Sequence, residues 1–521
     1  MIKSALKAAP VFSDNMVLQY GKPAAVWGYG HDGNTVRVIF NNTFLTETKV
    51  CNGQWNLLLP PLDAGLQGDL VITDDTEEIR FKNIITGDVW FAGGQSNMEM
   101  ELENCNNGME ELSACTNPGI RFYHVVKRAV VDADYLREEN ESSWQICAPD
   151  TAGGLSAAAF FFARKINKET GIPIGIINCS WGGTSIAAWM SIEQLEKSKA
   201  GRRFIDDYAA KIGGKTDEQY NAEMNDYFAA WQKWDTSVRI MREKNPDVTW
   251  DIINKECGAC PWPQPAGRTS PYAPSNLHTA RIRRVAPFTI KGFIYYQGEE
   301  DIERAADYRE MMYYLVRQWR EDWNDNKLPF FFVQLPMYST REEIEADPSA
   351  QNWCLMRESQ YSASLDISNT GLAVIIDCGE LDNIHPLDKQ TVGCRLALQA
   401  LKKVYGKDIE ADSPAPSRIE LHKFTQEETG LRIHFDNAES GLMFRDNNPN
   451  SFNSDVCFEI AGDDGVFYPA KAMIEVKTVI VFSDKVLNPK SVRYAWRNYC
   501  PTPMYAKNGL PAMPFRAHLT H

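Results

Sequence analysis

A serine in a glycine-rich loop is the first group in the chain that could perform nucleophilic chemistry. Ser96 stands in the segment 93–99, directly after the strand-like run 88–92. Two glycines allow a sharp turn there, so the serine would lie at the carboxyl end of a strand and the start of a helix, where ligands bind in open α/β sheets. On placement alone such a serine is more often a helix N-cap than a nucleophile. The catalytic interpretation therefore needs a partner base.

Acyl transfer by a serine requires a base that takes its proton and a group that holds the base. Of the eight histidines, His385 alone follows a core-like strand of the α/β region at its carboxyl end. Asp382 precedes it by three residues, and we expect its carboxylate to reach the imidazole and fix the tautomer. The alternative is a surface turn in which Asp382 caps a helix that begins near Pro386, and Asp388 could do the same. The combination with Ser96 favours catalysis.

Two further loops follow strand-like runs and carry groups that could stabilise an oxyanion. Gly183, in the segment 179–186, has no Cβ, so its backbone N–H can approach a substrate oxygen. A tight strand-to-helix turn would explain that segment equally well. Gln297 offers an amide donor after the run 293–296, and Glu299 offers an acid that could orient a neighbour. Loss of one oxyanion donor costs on the order of 100- to 1,000-fold in turnover, and we expect that loss for Gln297→Ala.

Strand-like and helix-like runs predict which elements position these loops. Residues 1–85 contain short alternating apolar and polar runs separated by turn residues, which predicts a small antiparallel β domain. From 86 to 412, strand-like runs alternate with helix-like stretches, which indicates βαβ crossovers and a parallel sheet covered on both faces. Strand-like runs return after the proline-bearing linker 413–416, so a β-rich domain is predicted over 413–521.

A polar insertion at about 192–288 interrupts the α/β region. Most of it is helix-patterned, and its Pro- and Gly-rich end contains Trp262, Arg268 and Tyr272. Long irregular segments of α/β folds often build binding sites, so we expect this one to cover the strand ends. A packing elaboration with no ligand is the alternative.

Composition and motif spacing argue against several other functions. The chain has 54 Lys and Arg against 69 Asp and Glu, a formal net charge of −15, which argues against a nucleic-acid partner. No run approaches the roughly 18 apolar residues of a membrane helix, so no membrane association is expected. The Gly-x-Gly-x-x-Gly match at 28–33 precedes a strand-like run, which removes the dinucleotide interpretation. Cys257 and Cys260 form one pair without a second at zinc spacing, which favours a disulfide or free thiols over metal.

These motifs together resemble those of bacterial sialate O-acetylesterases, which belong to the SGNH-type hydrolases. The matching segments follow the same order over nearly the whole chain: 11–19, 94–98, 182–184, 296–299, 382–385, 492–496 and 509–516. The resemblance implies an α/β fold with an SGNH-type, flavodoxin-like three-layer parallel-sheet core and β-sandwich-like units at both ends of the chain. It also implies a serine esterase that removes O-acetyl groups from sugars and needs neither metal nor cofactor.

Carried over position by position, the resemblance assigns roles to the candidate residues. Ser96 would be the nucleophile, His385 the general base and Asp382 its orienting acid. The oxyanion hole would consist of the N–H groups of Ser96 and Gly183 with the side chain of Gln297. O-Acetylated sialic acid is the first-choice substrate that follows from the resemblance.

Several side chains near these loops could bind the sugar. Trp181 and Tyr296 flank proposed catalytic residues and could stack on a sugar ring, as could Trp262 and Tyr272. Arg268 could pair with the carboxylate of a sialic acid through its planar donors, or be a solvated surface residue. These possibilities concern the substrate rather than the reaction.

Two departures from the family pattern also lie near the substrate mouth. The loop 274–282 matches the family only loosely, and Glu300-Asp301 stands in place of the usual Ser-Asn. The identity of the sugar therefore stays open. Acetylated xylan or another plant polysaccharide is the nearest alternative, since a net charge of −15 gives no steering toward an anionic sugar.

A non-catalytic carbohydrate-binding protein is the alternative from another class. In such a protein the β units would bind glycan and the serine site would be vestigial. The intact set of candidate residues argues against this alternative. The oligomeric state does not follow from the sequence. The start of the chain has an apolar stretch too short for a signal peptide. Enzymes of the resembling family are commonly exported, so we expect a periplasmic or secreted location.

Overall fold

The structure is a computed structural model that describes residues 6–74, 76–245, 248–348, 350–425, 428–445, 453–500 and 504–519. Residues 1–5, part of the start considered for a signal peptide, lie outside the described residues. In the described ranges, no helix has the length and apolar character needed to cross a membrane.

The N-terminal β unit ends in a strand that continues into the rest of the molecule. Its strands are β1 (Lys7–Ala8), β2 (Val17–Gln19), β3 (Ala24–Tyr29), β4 (Thr35–Phe40), β5 (Phe44–Lys49), β6 (Gln54–Leu59), β7 (Gln67–Thr73) and β8 (Glu78–Gly94). Strands β1, β3 and β6 form one antiparallel sheet, and β5, β4, β7 and β8 form the other. Exposure alternates in β8 up to Phe81, and burial is complete from Ile84. The predicted boundary at 85/86 therefore falls inside one strand.

The central sheet is built around the second half of β8. Its other strands are β9 (Asn117–His124), β10 (Gln145–Cys147), β11 (Ile174–Ser180), β12 (Gly292–Tyr296), β13 (Phe330–Gln334) and β14 (Thr370–Val374). The order is β10-β9-β11-β8-β12-β13-β14, parallel except for β10. Numbered along the chain, the six parallel strands β9-β11-β8-β12-β13-β14 have the order 2-3-1-4-5-6. The fold is mixed α/β, and its assignment to the SGNH type stays a prediction.

The α/β region forms helices, several of which cover the two faces of this sheet. They are α1 (Ser96–Glu99), α2 (Gly108–Ser113), α3 (Ala133–Glu141), α4 (Ala157–Thr170), α5 (Ile192–Leu195), α6 (Lys199–Ile212), α7 (Asp217–Lys244), α8 (Trp250–Cys257), α9 (Arg283–Val285), α10 (Ala305–Asp322), α11 (Arg341–Ala346), α12 (Asn352–Asp366) and α13 (Lys389–Lys403). Trp90 and Phe91 are neighbours in β8 and so point to opposite faces. Trp90 lies 5.0 Å from Phe162 of α4, and Phe91 lies 5.3 Å from Trp319 of α10, both between ring centroids. Helix α13 packs beside α4 and α12 beside α10, which gives three layers.

Shorter turns and an irregular segment complete the α/β region. The turns are the 3₁₀ helices Leu102–Asn104, Ile186–Trp189, Glu299–Arg304 and Ile376–Cys378 and the π-helical turn His278–Ile282. The residues predicted as an insertion form helices α5 to α8, followed by the irregular segment 258–277. Cys257 and Cys260 are free thiols.

The C-terminal unit has an apolar core of its own. Its strands are β15 (Ala415–Lys423), β16 (Thr429–Asp436), β17 (Leu442–Phe444), β18 (Asn453–Ala461), β19 (Phe467–Glu475), β20 (Thr478–Phe482), β21 (Ser491–Tyr494), β22 (Met504–Ala506) and β23 (Phe515–His518). Seven of them form an antiparallel sheet in the order β15-β16-β20-β19-β18-β21-β23, and β17 pairs with β22. Its buried side chains form a separate cluster, whereas the N-terminal unit shares one continuous core with the central sheet.

Candidate active site

Ser96 is presented by a turn that only glycine can make. Gly94 ends β8 with a φ of +139°, and a Cβ on it would lie 2.1 Å from the carbonyl oxygen of Tyr296. The next residue, Gln95, donates its backbone N–H to that same oxygen at 3.0 Å. The chain then enters α1 at Ser96, half-buried at the carboxyl end of the central strand. The predicted position of the serine in the fold is confirmed.

His385 lies opposite Ser96, on the loop between β14 and α13. Its Nε2 atom is 2.8 Å from the Ser96 Oγ atom. Burial of the ring, and then the charge of Lys389, lower the His385 pKa to about 4. The imidazole is therefore neutral near pH 7 and able to accept the hydroxyl proton. The structure brings together the two residues that the sequence analysis paired.

Asp382 makes a different contact from the one expected. Its Oδ1 atom accepts a hydrogen bond from the backbone N–H of Arg341 at 2.8 Å, and its Oδ2 atom accepts one from Arg341 Nε at 2.8 Å. Although both residues are described, no hydrogen bond joins Asp382 to His385. The φ of +63° at Asp382 turns the chain so that the carboxylate meets the start of α11. Asp388 caps α13 by accepting from the Thr391 N–H at 3.0 Å.

The loop after β11 lies directly against the serine. Glu99 accepts the Gly182 N–H at 2.5 Å, and a Cβ on Gly182 would lie 3.3 Å from the Ser96 Cβ. Gly183 has a φ of +69°, and a Cβ there would lie 2.1 Å from the ring of Trp262. Within the described residues the backbone N–H groups of Ser96 and Gly183 have no hydrogen-bond acceptor. Both are therefore available to a substrate oxygen.

The amide of Gln297, by contrast, is already engaged. Its Nε2 atom donates to Asp301 Oδ2 at 2.7 Å and to the Thr184 carbonyl at 3.2 Å. Its Oε1 atom accepts from the Tyr308 hydroxyl at 2.7 Å, and the side chain is buried. Asp301 Oδ2 also accepts the Ile186 N–H at 2.8 Å. In this arrangement Gln297 has no N–H left for an oxyanion and instead braces the loop that carries Gly183.

The predicted sugar-binding residues differ in how far their rings are exposed to solvent. Tyr296 is fully buried, with Lys389 Nζ 5.5 Å from its ring centroid, so it cannot stack on a sugar. The half-buried ring of Trp181 lies near the cations of Lys127 and Arg281, at 5.5 and 5.6 Å. Trp262, 48 % exposed, rests on Gly183 and meets Tyr272 edge to face.

A cavity of about 310 Å³ opens beside Trp262. It is lined by Tyr272, Lys211, Glu300 and Arg304, but not by Arg268, which is exposed elsewhere on the segment. Arg304 pairs with Asp207 at 2.7 Å. Lys211 has no ion pair in the described part of the chain. Burial, and then Asp301, raise the Glu300 pKa to about 7.

A larger cavity of about 800 Å³ lies away from the serine. Its lining includes Trp27 and Tyr29 of the N-terminal unit and Asp325 of the α/β region, with none of the predicted site residues. Cavity size alone therefore does not locate the candidate active site, which is defined here by the Ser96–His385 contact.

Three buried residues lie next to the Ser96–His385 pair, and the sequence analysis gave a role to only one of them. Asn97 follows Ser96, Lys389 follows His385 by four residues, and Glu299 was expected only to orient a neighbour. Glu299 does so, since its Oε1 atom accepts from Asn97 Nδ2 at 2.5 Å. The short spacings from Ser96 and His385 are the signal that could have drawn attention to the first two.

Comparisons with known proteins identify related carbohydrate esterases. The family described as "Carbohydrate esterase, sialic acid-specific acetylesterase" matches residues 86–222 and 263–402, more than half of the chain. The sialate O-acetylesterase of Mus musculus is 27 % identical over 98 % of this chain and 94 % of its own length. The human enzyme of that name is 26 % identical over 79 % of this chain and 74 % of its own.

A solved structure is similar over the whole chain. It is a carbohydrate acetylesterase from Xanthomonas citri, with a TM-score of 0.76, 29 % identity and coverage of 98 % of this chain and 99 % of that one. The matched family residues include Ser96, Gly183, Gln297 and His385. The protein therefore belongs to the sialic acid-specific acetylesterase family of carbohydrate esterases and is a carboxylic ester hydrolase.

Proposed function

We propose that this esterase removes O-acetyl groups from sugars by two-step acyl transfer through an acetyl-enzyme on Ser96. The observation that carries the proposal is the 2.8 Å contact between Ser96 Oγ and His385 Nε2. His385 takes the hydroxyl proton as Oγ attacks the acetyl carbonyl, and it then gives the proton to the departing sugar oxygen. A water molecule, activated by the same base, hydrolyses the acetyl-enzyme.

The oxyanion in this mechanism is held by backbone donors. The Ser96 and Gly183 N–H groups are the available donors beside the nucleophile, and fixed donors of this kind stabilise the developing charge without reorganising. Gln297 and Asp301 contribute by holding the Gly183 loop. Asp382, whose carboxylate holds Arg341, is proposed to steady the His385 loop from the side of α11.

O-Acetylated sialic acid is proposed as the first substrate. The relatives named above act on sialate esters by name, and Lys211 in the cavity beside Trp262 offers a cation for a carboxylate. Lys211 thus takes the role that the sequence suggested for Arg268. An acetylated plant polysaccharide is the second candidate, favoured by Glu300 in the same cavity, since an ionised carboxylate there would repel an anionic sugar. A periplasmic or secreted location stays part of the proposal.

Acetate release separates these substrates. Wild type and Ser96→Ala are assayed side by side on O-acetylated sialic acid and on an acetylated xylooligosaccharide. Release from the sialic acid that is abolished in the variant supports both the chemistry and the substrate. Release only from the xylan fragment keeps the catalytic pair and changes the sugar. No release from either, by correctly folded wild type, would contradict the proposal.

A further inference from the structure

A fully buried lysine lies beneath the catalytic pair. Lys389 is 0 % exposed, and its Nζ atom donates to Asn97 Oδ1 and to the Pro386 carbonyl, each at 2.7 Å. Asn97 in turn donates its Nδ2 to Glu299 Oε1 at 2.5 Å and to the Ile384 carbonyl at 3.0 Å. Asn97 and Glu299 are also buried. Four hydrogen bonds therefore connect a lysine, an amide and a carboxylate away from solvent.

The two backbone carbonyls in this network flank His385. Ile384 precedes the histidine and Pro386 follows it, and the network binds both. Asn97 is the residue after Ser96, so a single peptide link separates the other end of the network from the nucleophile. The network therefore connects the residue beside Ser96 with the backbone on both sides of His385. Asp382 instead accepts hydrogen bonds from Arg341.

A charged side chain at this position needs a reason beyond packing. Burying an ammonium group is costly unless it is paired and hydrogen-bonded. Burial lowers the Lys389 pKa to about 8, and the acidic groups that face it are Glu299, Cys378, Glu380 and Cys105, from four different segments. After burial, Lys389 is the charge that acts on the His385 ring, and it lowers the pKa of that histidine.

We propose that Lys389 is a positioning residue for the esterase reaction, which holds the His385 loop in register with Ser96 through Asn97 and the Pro386 carbonyl. The inference rests on the proposed function. The lysine does not touch the reacting atoms. It fixes where the base stands, and its charge favours the neutral imidazole that accepts the Ser96 proton. This role differs from the one that the sequence analysis gave to Asp382, because Lys389 holds the loop backbone and does not fix the tautomer of the imidazole.

Lys389→Met in the full chain tests the proposal, with a small acetyl ester such as p-nitrophenyl acetate as the substrate. We expect kcat to fall on the order of 10- to 100-fold with KM unchanged, because a displaced base affects the chemical step rather than binding. The apparent pKa of His385 should rise by roughly one unit, because a nearby positive charge is removed. Lys402→Met, on the same helix but partly exposed, is the matched control and should match wild type in both respects.

Two further variants keep the test decisive. If Lys389→Met does not fold, Lys389→Met/Glu299→Gln removes both charges and leaves no unpaired carboxylate, and it should show the same upward pKa shift. The double variant Asn97→Ala/Lys389→Met should lose no more activity than the more impaired of the two single variants, because the two residues act as one unit. An additive loss would overturn the shared network.

Titration of the His385 imidazole by NMR separates this inference from the proposed function. The titration does not depend on turnover, so the pKa shift can be measured even if wild type hydrolyses no acetyl ester and the proposed function fails. A folded Lys389→Met protein with wild-type kcat and an unshifted His385 titration would overturn the inference. The proposed function would stay intact in that case if Ser96→Ala is inactive.

Discussion

The Nε2 atom of His385 lies 2.8 Å from the Ser96 Oγ atom, although 289 residues of sequence separate the two. Ser96 follows the central strand β8, and His385 follows β14 at the edge of the same parallel sheet. Parallel strands present their carboxyl ends at one edge, so these loops meet there. The contact places a serine hydroxyl beside a neutral imidazole that can accept its proton.

The low pKa of His385 predicts that activity persists in acid. The base acts when neutral, so kcat/KM should fall as the pH drops through about 4, the pKa set by burial and then by Lys389. A histidine with its usual pKa near 6.5 would lose activity much earlier. The pH dependence of kcat/KM on a small acetyl ester measures this, with folding at each pH checked by circular dichroism. An acid limb near 6.5 in folded protein would contradict the prediction.

Gln297→Ala should act on stability more than on the transition state. The substitution removes one buried hydrogen bond from the Asp301 carboxylate, which keeps the Ile186 N–H, and one from the Tyr308 hydroxyl, which keeps the backbone carbonyl of residue 297. The loss of such buried partners costs about 1–3 kcal/mol. Chemical denaturation measures this change in the free energy of unfolding. A direct place in the oxyanion hole would instead lower kcat on the order of 100- to 1,000-fold at unchanged stability.

Asp382→Asn and Arg341→Ala should lower kcat to the same degree. Each removes the ion pair between the two residues, and among the described residues no hydrogen bond joins Asp382 to the His385 ring. A carboxylate that oriented the ring would behave differently, since its loss costs on the order of 10,000-fold in the serine protease triad. Measuring kcat for both variants on one ester decides between the two. A far larger loss for Asp382→Asn would restore the role expected from the sequence.

Lys211→Met should discriminate between sugars. The cavity beside Trp262 includes the Lys211 ammonium, and a hydrogen bond from a charged donor to a carboxylate contributes about 1.5–3 kcal/mol. We expect KM for O-acetylated sialic acid to rise roughly ten-fold or more. KM for p-nitrophenyl acetate, which lacks the carboxylate, is the internal control and should not change. An equal rise for both esters would remove Lys211 from sugar recognition.

The positions of the reacting groups could be predicted because strand order and glycine turns constrain the backbone. Gly94 and Gly183 both adopt positive φ angles beside close neighbours, and the sequence shows the glycines directly. Ser96 and His385 each follow a strand-like run, and the carboxyl ends of such strands meet at one edge.

The hydrogen-bond partners of the polar side chains could not be predicted. Asp382 and Gln297 each had a plausible catalytic partner, but Arg341 and Asp301 compete for the same atoms, and only the three-dimensional arrangement shows that these competitors lie closer. Lys389 was missed for another reason. Lysine is seldom fully buried, and nothing in the sequence around position 389 marks this one as an exception.

The account depends most directly on Ser96 as the acyl carrier. Wild type, Ser96→Ala and His385→Ala are treated with a serine-reactive fluorophosphonate, and the modified peptide is identified by mass spectrometry. We expect labelling of wild type at Ser96, none at this position in Ser96→Ala, and much slower labelling in His385→Ala. Folded wild type that stays unlabelled, or carries the label on another residue, would contradict the account and favour a carbohydrate-binding protein or a different nucleophile.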